Sequence, residues 1–122
     1  MKKITVKLIS IIVVVSVLTL LIFLFNTGSD VGEENNVESL AKCLTDSGAE
    51  LYGAYWCPHC QQQKDLFGDA AEFLPYVECT EEQEKCASAG IQGYPTWKFA
   101  DGTDAVGGQT LSKLAELTGC EY

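Results

Sequence analysis

The sequence predicts an α/β domain, with a mixed four-stranded sheet and flanking helices, preceded by an N-terminal transmembrane helix. An apolar run fills most of residues 1–25, whereas short apolar segments alternate with helix-compatible ones over residues 37–122. A pair of cysteines lies where the first apolar segment of that second region meets a helical one. We therefore predict a membrane anchor over 1–25, a flexible linker over 26–36 and one globular domain over 37–122.

The N-terminal run is long enough for a single membrane span. Leu8 to Phe25 are eighteen residues without a charge, and counting from Ile4 gives 22, against the ~20 that a helix needs to cross a bilayer. The lysines lie on its N-terminal side, which predicts a cytoplasmic N-terminus and an extracytoplasmic domain. A cleaved signal peptide has a shorter core, ~7–15 residues, and an A-x-A-like site, so we expect a retained single-pass anchor in the cell membrane.

The rest of the chain is acidic and of modest length. Residues 26–36 are polar without apolar periodicity, which predicts a flexible tether. Residues 37–122 suffice for one small domain, whose core commonly needs covalent staples. Beyond residue 25 the chain has five lysines, no arginine and seventeen acidic residues, which excludes a nucleic-acid partner because phosphates require a basic surface.

A helix and a strand open the globular domain. Over 37–47 apolar residues recur at helical spacing, and a glycine follows, as is common after a helix. These apolar residues are Val37, Leu40, Ala41 and Leu44. Residues 49–55 are apolar and rich in tyrosine, which predicts a buried strand.

A helix, a strand and a second helix follow. The helix over 58–67 has a proline in its first turn, where the missing N–H is not needed, and it ends at Gly68. The strand covers 74–79, and the second helix covers 81–89 and ends at Gly90. Because strand–helix–strand units cross over right-handed, we expect these first two strands to pair parallel.

A hairpin and a helix close the domain. A strand over 96–100, an Asp-Gly turn and a return strand over 104–107 predict an antiparallel pair. The last helix covers 111–117, with Thr110 as its N-cap. This order of elements predicts a mixed sheet with helices on both faces.

Residues 56–60, Trp-Cys-Pro-His-Cys, carry the chemistry that we expect of this chain. Cys57 falls at the N-terminus of a predicted helix, where unpaired backbone N–H groups and the helix dipole favour a thiolate, the reactive form of cysteine. Cys60 lies about one turn further on, within reach of a disulfide. We predict that Cys57 is the exposed nucleophile and that Cys60 is the more buried resolving partner.

Other interpretations of the pair are half of a zinc site and an inert disulfide. A zinc site needs two further ligands, but the one histidine of the sequence, His59, lies inside the motif, and there is no second C-x-x-C. A copper-delivery module is disfavoured because no nearby methionine or second histidine adds ligands. We therefore expect no metal and no cofactor.

The four remaining cysteines predict structural disulfides, since all six lie on the extracytoplasmic side of the anchor. Six cysteines allow fifteen connectivities. With Cys57 and Cys60 set aside, Cys79–Cys86 is the expected second pair because six residues separate them. Cys43–Cys120 follows by elimination and would join the start of the domain to its end.

Two motifs at this spacing, in this order of elements, resemble the thioredoxin superfamily. They are W-C-x-x-C after the first strand and G-Y-P-T, residues 93–96, about 35 residues later. The resemblance implies a thioredoxin-like fold over nearly all of residues 37–122. It also implies that Pro95 follows a cis peptide bond and packs against the dithiol, and that Tyr94 offers its backbone to an extended substrate segment.

A narrower resemblance is to the thioredoxin-like domain fused to, or partnered with, bacterial homologues of vitamin K epoxide reductase (VKOR). The residues that carry it read A-K-C-L-T, Y-G-A-Y-W-C-P-H-C-Q-Q-Q-K-D-L-F-G, P-Y-V-E-C and G-I-Q-G-Y-P-T-W. This resemblance implies a disulfide-forming pathway in which a quinone-linked membrane protein of the VKOR/DsbB type reoxidises the domain. It also implies a second, non-catalytic disulfide, which Cys79 and Cys86 could supply. We expect the four-helix VKOR portion, which this sequence lacks, to be a separate chain.

One position departs from the family pattern. Many thioredoxins, protein disulfide isomerases and DsbA proteins have a buried acid six residues before the first active cysteine, where this chain has Leu51. The proton acceptor for the second thiol is then missing, replaced by water, or supplied by the neighbouring Glu50. The sequence leaves these three alternatives open.

The dipeptide between the cysteines indicates the direction of electron flow. A cationic His59 beside the helix N-terminus would stabilise the Cys57 thiolate, and hence the reduced form, which makes the disulfide more oxidising. The same Pro-His occurs in DsbA, whose potential is about −120 mV against about −270 mV for thioredoxin. We therefore expect a membrane-anchored enzyme that introduces disulfides into exported proteins.

Three other functions are also compatible with parts of the sequence. They are a membrane-tethered reductase or isomerase, as in cytochrome c maturation, the metal-binding module above, and a redox-inert interaction domain. Among the aromatic residues, we expect Trp56 and Tyr94 to contact substrate, and Trp97 and Phe99 to belong to the core.

Overall fold

The computed structural model describes residues 2–25 and 31–122, and the chain divides into two compact units. The first contains one helix, α1, Lys2–Phe25. Its stretch Ile4–Leu24 has a mean hydropathy of 2.8 and is long enough to cross a membrane, although a signal sequence near an N-terminus meets the same criteria. Of the predicted linker, residues 26–30 lie outside the described part of the chain.

The second unit covers residues 32–122, and its elements follow the predicted order. The elements are α2 Val31–Asp46, β1 Glu50–Gly53, α3 Pro58–Asp65, a 3₁₀ helix Gly68–Phe73, β2 Tyr76–Glu78, α4 Gln83–Ser88, β3 Thr96–Lys98, β4 Asp104–Val106 and α5 Leu111–Thr118.

Two boundaries differ from the prediction in a way that matters. Helix α2 begins at Val31 instead of residue 37, so the linker prediction is wrong for residues 31–36. That segment has no apolar period, yet it has no proline either, and extending an existing helix costs far less than starting one. The 3₁₀ helix Gly68–Phe73 was not predicted; it begins at Gly68, the glycine at which α3 was expected to end.

The four strands form one mixed sheet in the order β2-β1-β3-β4. Strands β1 and β2 pair parallel, with Gly53 opposite Glu78, whereas β1–β3 and β3–β4 pair antiparallel. The predicted thioredoxin-like architecture, with a parallel first pair and a closing hairpin, is therefore confirmed.

Alternate residues of β1 face two different hydrophobic clusters. Leu51 belongs to the larger cluster, which α2, α5 and the 3₁₀ helix cover and which includes Trp97 and Phe99. Tyr52 belongs to the smaller cluster, on the α4 side, with Val77. The sheet therefore has a buried layer on each face, and Trp97 and Phe99 are core residues, as expected.

Two disulfides cross-link this unit. Cys43 on α2 is bonded to Cys120, which follows α5, and Cys79 after β2 is bonded to Cys86 on α4. The first closes a segment of 77 residues and the second a segment of 7. The long one therefore connects the first helix of the domain to its last residues.

Gln63 is a polar residue buried between α3 and the loop before α5, with 1% of its surface exposed. Its Nε2 donates to the Gln109 carbonyl oxygen (3.0 Å), and its Oε1 accepts from the Gln109 N–H (2.6 Å). The side chain thus satisfies both backbone groups of Gln109 and fixes that loop against α3.

Replacing Gln63 with methionine is expected to destabilise the domain by about 2 kcal/mol, because both Gln109 backbone groups lose their partner at a part-buried site. Urea unfolding of the protein in detergent micelles measures this. Gln62→Met, at the adjacent exposed position, is the matched control and should change stability by less than about 0.5 kcal/mol. Equal effects of the two substitutions would contradict the buried role of Gln63.

Candidate active site

The dithiol lies where β1 ends and α3 begins. The strand ends at Gly53, and α3 starts at Pro58, with Cys57 as the extended N-cap residue. Proline suits this position because its fixed φ fits the first helical turn and its missing N–H is not needed there. The sequence thereby places a thiol at the positive end of a helix.

Cys57 is the thiol at the helix N-terminus, and its Sγ lies 3.8 Å from the carbonyl oxygen of Tyr94. Burial alone would raise the pKa of Cys57. Hydrogen bonds from the Cys60 thiol and from the backbone N–H groups of Cys60 and His59 outweigh burial, so the pKa lies below the usual value for cysteine. Because the thiolate is the nucleophilic form, Cys57 is primed to attack a disulfide.

Cys60 has the opposite character. Only 1% of its surface is exposed, and burial raises its pKa to about 11, with a further increase from the hydrogen bond to Cys57. The ammonium of Lys64 and a backbone hydrogen bond from Ala54 oppose this increase. Both cysteines are free thiols and both are buried, with 5% of Cys57 exposed against 1% of Cys60. The prediction of an exposed Cys57 is therefore wrong, whereas Cys60 is the more buried of the two, as predicted. The helix N-terminus and hydrogen bonds, more than exposure, distinguish the reactive thiol from the protected one.

His59 approaches the site through its backbone. Its N–H lowers the pKa of Cys57, whereas its exposed imidazole has Nδ1 3.3 Å from Oε1 of Gln62. The imidazole role predicted from the sequence, a cation beside the thiolate, therefore remains a prediction.

Tyr94 and Trp56 lie at the opening of the site, and Pro95 follows Tyr94 in the chain. The Tyr94–Pro95 peptide bond is cis and Pro95 is fully buried, while Tyr94 packs against both the smaller cluster and the dithiol. The ring of Trp56 is 59% exposed and meets the Tyr94 ring edge-on, with centroids 6.0 Å apart. An apolar, half-exposed rim of this kind offers a contact surface for a peptide next to Cys57.

The site predicted from the sequence lacks Gly53 and Tyr76, which lie next to Cys60, and Glu78, which is hydrogen-bonded to Tyr76. A Cβ atom added to Gly53 would lie 2.9 Å from both the Cys60 Sγ and the Tyr76 hydroxyl. Tyr76 in turn donates a hydrogen bond to Glu78 Oε2 (3.0 Å). The alternation Tyr-Val-Glu in β2 signals that Tyr76 and Glu78 share a face, but the sequence does not show which face meets Cys60.

Glu50 does not reach Cys60, so this alternative for the proton acceptor is wrong. On β1 it shares a face with Tyr52, which donates a hydrogen bond to it, and Lys85 forms an ion pair with it at 2.9 Å. Gly53 and Cys60 lie on the other face. Across the described residues, no three histidine, cysteine or acidic side chains are grouped as metal ligands would be.

The fold, the cis proline and the close thiol pair together indicate the protein family to which this chain belongs. Residues 49–118, more than half of the chain, match the thioredoxin family. The chain belongs to that family, and the domain is a thioredoxin domain of the thiol-disulfide oxidoreductase type.

The curated relatives extend this assignment. Thiol-disulfide oxidoreductase LTO1 of Arabidopsis thaliana is 46% identical over 91 residues, which covers 66% of this chain and 24% of that protein. A protein disulfide-isomerase of Aspergillus oryzae is 40% identical over 65 residues, covering 48% of this chain and 12% of the relative. The chain thus spans about a quarter of the first relative's length and less of the second's.

The thiol environments predict the pH dependence of alkylation by iodoacetamide. The rate at Cys57 should rise with pH and reach half its maximum below ~8.5, the usual pKa of cysteine, because its thiolate is stabilised. Cys60→Ala removes one stabilising hydrogen bond, so its midpoint should move to higher pH. A wild-type midpoint at or above that of a free thiol would contradict the assignment of Cys57 as the nucleophile.

Proposed function

We propose that this protein is a membrane-anchored, extracytoplasmic enzyme that introduces disulfides into exported proteins through Cys57 and Cys60. The observation that carries the proposal is the unequal environment of the two thiols. A thiolate stabilised at Cys57 favours the reduced form of the enzyme, so the disulfide form is a stronger oxidant. The apolar helix α1 supports the anchor, with its lysines on the cytoplasmic side.

The reaction is a sequence of thiol-disulfide exchanges. A substrate thiolate attacks Cys57 Sγ of the oxidised enzyme, the new sulfur–sulfur bond forms, and Cys60 leaves with the electron pair of the old one. A second substrate thiolate then attacks the mixed disulfide, which releases oxidised substrate and the reduced enzyme. Pro95, Tyr94 and Trp56 hold the substrate segment beside Cys57.

Reoxidation requires a membrane protein that accepts two electrons and two protons from the dithiol. A quinone-linked protein of the VKOR/DsbB type supplies this chemistry, and the proposal names that class as the partner. The resemblance of the residues around both motifs to VKOR-associated domains supports it.

The test is refolding of reduced, unfolded ribonuclease by the full-length protein in detergent, with glutathione disulfide as terminal oxidant. The proposal expects ribonuclease activity to appear several-fold faster than with glutathione disulfide alone. It also expects slow reduction of insulin with a thiol donor. Fast insulin reduction without ribonuclease oxidation would make the protein a reductase instead.

Isomerisation is the second candidate function, because the relatives include protein disulfide-isomerases. It is distinguished by scrambled ribonuclease, in which wrong disulfides must be exchanged without net oxidation. Recovery of activity from scrambled ribonuclease, but not from the reduced protein, would favour this candidate.

A further inference from the structure

The buried thiol of Cys60 must lose a proton whenever it resolves a mixed disulfide. In that step Cys60 Sγ attacks Cys57 Sγ, the enzyme disulfide forms, and the partner sulfur leaves with the electron pair. The Cys60 proton then needs an acceptor, because only 1% of this residue is exposed to solvent. Leu51 and Glu50 do not provide one, since Leu51 is apolar and Glu50 lies on the opposite face of the sheet.

We propose that Tyr76 and Glu78 form the proton relay for Cys60, with the Tyr76 hydroxyl as the bridging group and the Glu78 carboxylate as the acceptor. This rests on the proposed roles of Cys57 and Cys60 but not on the direction of electron flow. The thiol proton passes to the Tyr76 oxygen, and the hydroxyl proton passes to Glu78. When a mixed disulfide is formed from the oxidised enzyme, the same path returns the proton to Cys60.

The Cys60 sulfur and the Tyr76 hydroxyl approach each other beside Gly53. The Cys60 Sγ and the Tyr76 hydroxyl oxygen both lie 2.9 Å from the point where a Gly53 Cβ would be. The two atoms are therefore at most twice that distance apart, within reach directly or through one water molecule. Any larger residue at position 53 would occupy this space, so glycine is what lets the sulfur and the hydroxyl approach.

The pairing of β1 with β2 places Tyr76 and Glu78 on the same side of the sheet as Gly53. In the parallel pairing of β1 and β2, Gly53 lies opposite Glu78, and Tyr76 is two residues earlier on the same face of β2. The Tyr76 hydroxyl donates to Glu78 Oε2 at 3.0 Å, which leaves its lone pairs available to a thiol. The acceptor thus lies on the strand next to the one on which the family usually carries its acid.

Glu78 is held in position by several donors. Its Oε1 accepts from the Thr80 hydroxyl (2.8 Å) and the Thr80 N–H (3.1 Å), and the Tyr55 backbone also hydrogen-bonds to the carboxylate. These bonds outweigh the effect of burial and lower the pKa of Glu78. The group is therefore an anion at neutral pH, and because its lowered pKa makes it a weak base, it holds the relayed proton only in transit to solvent.

The other charged and titratable groups near Cys60 are compatible with proton transfer through Tyr76 to Glu78. Lys64 Nζ lies 3.3 Å from the centre of the Tyr76 ring and lowers the pKa of Cys60, so it stabilises negative charge as it develops on the sulfur. Cys57 faces Cys60 from the helix N-terminus, and Tyr94 packs against the pair from the loop before β3.

The test resolves the reactions of the two thiols as two kinetic phases. Full-length reduced protein in detergent is mixed in a stopped-flow instrument with excess dithiobis(nitrobenzoate), and release of thionitrobenzoate is followed by absorbance. The first, bimolecular phase reports attack by Cys57 on the reagent. The second, unimolecular phase reports attack by Cys60 on the Cys57 mixed disulfide. Loss of the first phase would overturn the proposed function, whereas the relay is tested by the second phase alone.

Tyr76→Phe and Glu78→Gln are expected to slow the second phase at least tenfold at pH 7 and to leave the first phase unchanged. In the wild type the second-phase rate should be nearly flat between pH 6 and 8, whereas in both variants it should rise about tenfold per pH unit, as hydroxide replaces the relay. Glu81→Gln removes an exposed carboxylate from the same region and should behave as wild type.

A purely electrostatic role of Glu78 makes the opposite prediction. Removing its charge would then lower the pKa of Cys60 and speed the second phase, which overturns the relay. A second phase with wild-type rate and pH profile in both variants overturns it as well. The unchanged first phase shows in each variant that the site is folded, and if Tyr76→Phe fails this criterion, Glu78→Gln decides alone.

Discussion

Replacing Cys57 with serine is expected to lower disulfide-exchange activity by at least about a thousandfold, the largest effect of any single substitution in this chain. The reason is that all exchange with a substrate passes through this sulfur. Cys60 cannot take over the reaction, because its thiol, which is buried more deeply than Cys57, keeps its proton at neutral pH. The measurement is the ribonuclease refolding rate of the variant beside wild type.

The matched variant Cys60→Ser should fail in a different way. Its reduced Cys57 can still attack a substrate disulfide, but Cys60 is no longer there to resolve the mixed disulfide, so covalent complexes with substrate should accumulate on non-reducing gels. Cys57→Ser should give no such complexes. If Cys57→Ser retained a tenth of wild-type activity, or formed these complexes, the roles assigned to the two cysteines would be wrong.

Removing the Cys43–Cys120 disulfide is expected to destabilise the domain by roughly 4.5 kcal/mol, the largest stability effect that we predict. The bond closes a segment of 77 residues, and a cross-link lowers the entropy of the unfolded chain more as the closed loop lengthens. Cys120 also lies in the larger hydrophobic cluster with α2 and α5. The measurement is urea unfolding of the double variant Cys43→Ala/Cys120→Ala.

The second disulfide is the internal control for that result. Cys79–Cys86 closes a segment of only 7 residues, for which the same relation predicts roughly 2.5 kcal/mol. The double variant Cys79→Ala/Cys86→Ala should therefore be the more stable of the two. The opposite order would show that loop closure does not govern the contribution of these bonds.

The sequence allowed most of the fold to be predicted because local signals agreed with each other. Helical spacing in α2, the glycines after the helices and the Asp-Gly turn between β3 and β4 each mark one element. The handedness rule for strand–helix–strand units then leaves few ways to arrange them. The beginning of α2 could not be predicted, because the sequence of residues 31–36 is largely polar and acidic and has no apolar periodicity.

The candidate site likewise contains residues that the sequence could predict and residues that it could not. Cys57, Cys60, Tyr94 and Pro95 could be found because two short motifs carry them. Tyr76 and Glu78 could not, since a strand of three residues reveals alternation but not which face meets which helix. That information lies in the register between β1 and β2, a tertiary property. The same register shows that Glu50 points to the wrong face.

The most direct test of the central claim, that the domain donates disulfides, is the equilibrium reduction potential of the Cys57–Cys60 pair. The full-length protein is equilibrated in glutathione buffers, and its free thiols are trapped by alkylation and counted by mass. The stabilised Cys57 thiolate predicts a potential above about −180 mV, the value for protein disulfide isomerase. A potential near or below about −250 mV, in the range of thioredoxin, would make the protein a reductant and contradict the proposed direction.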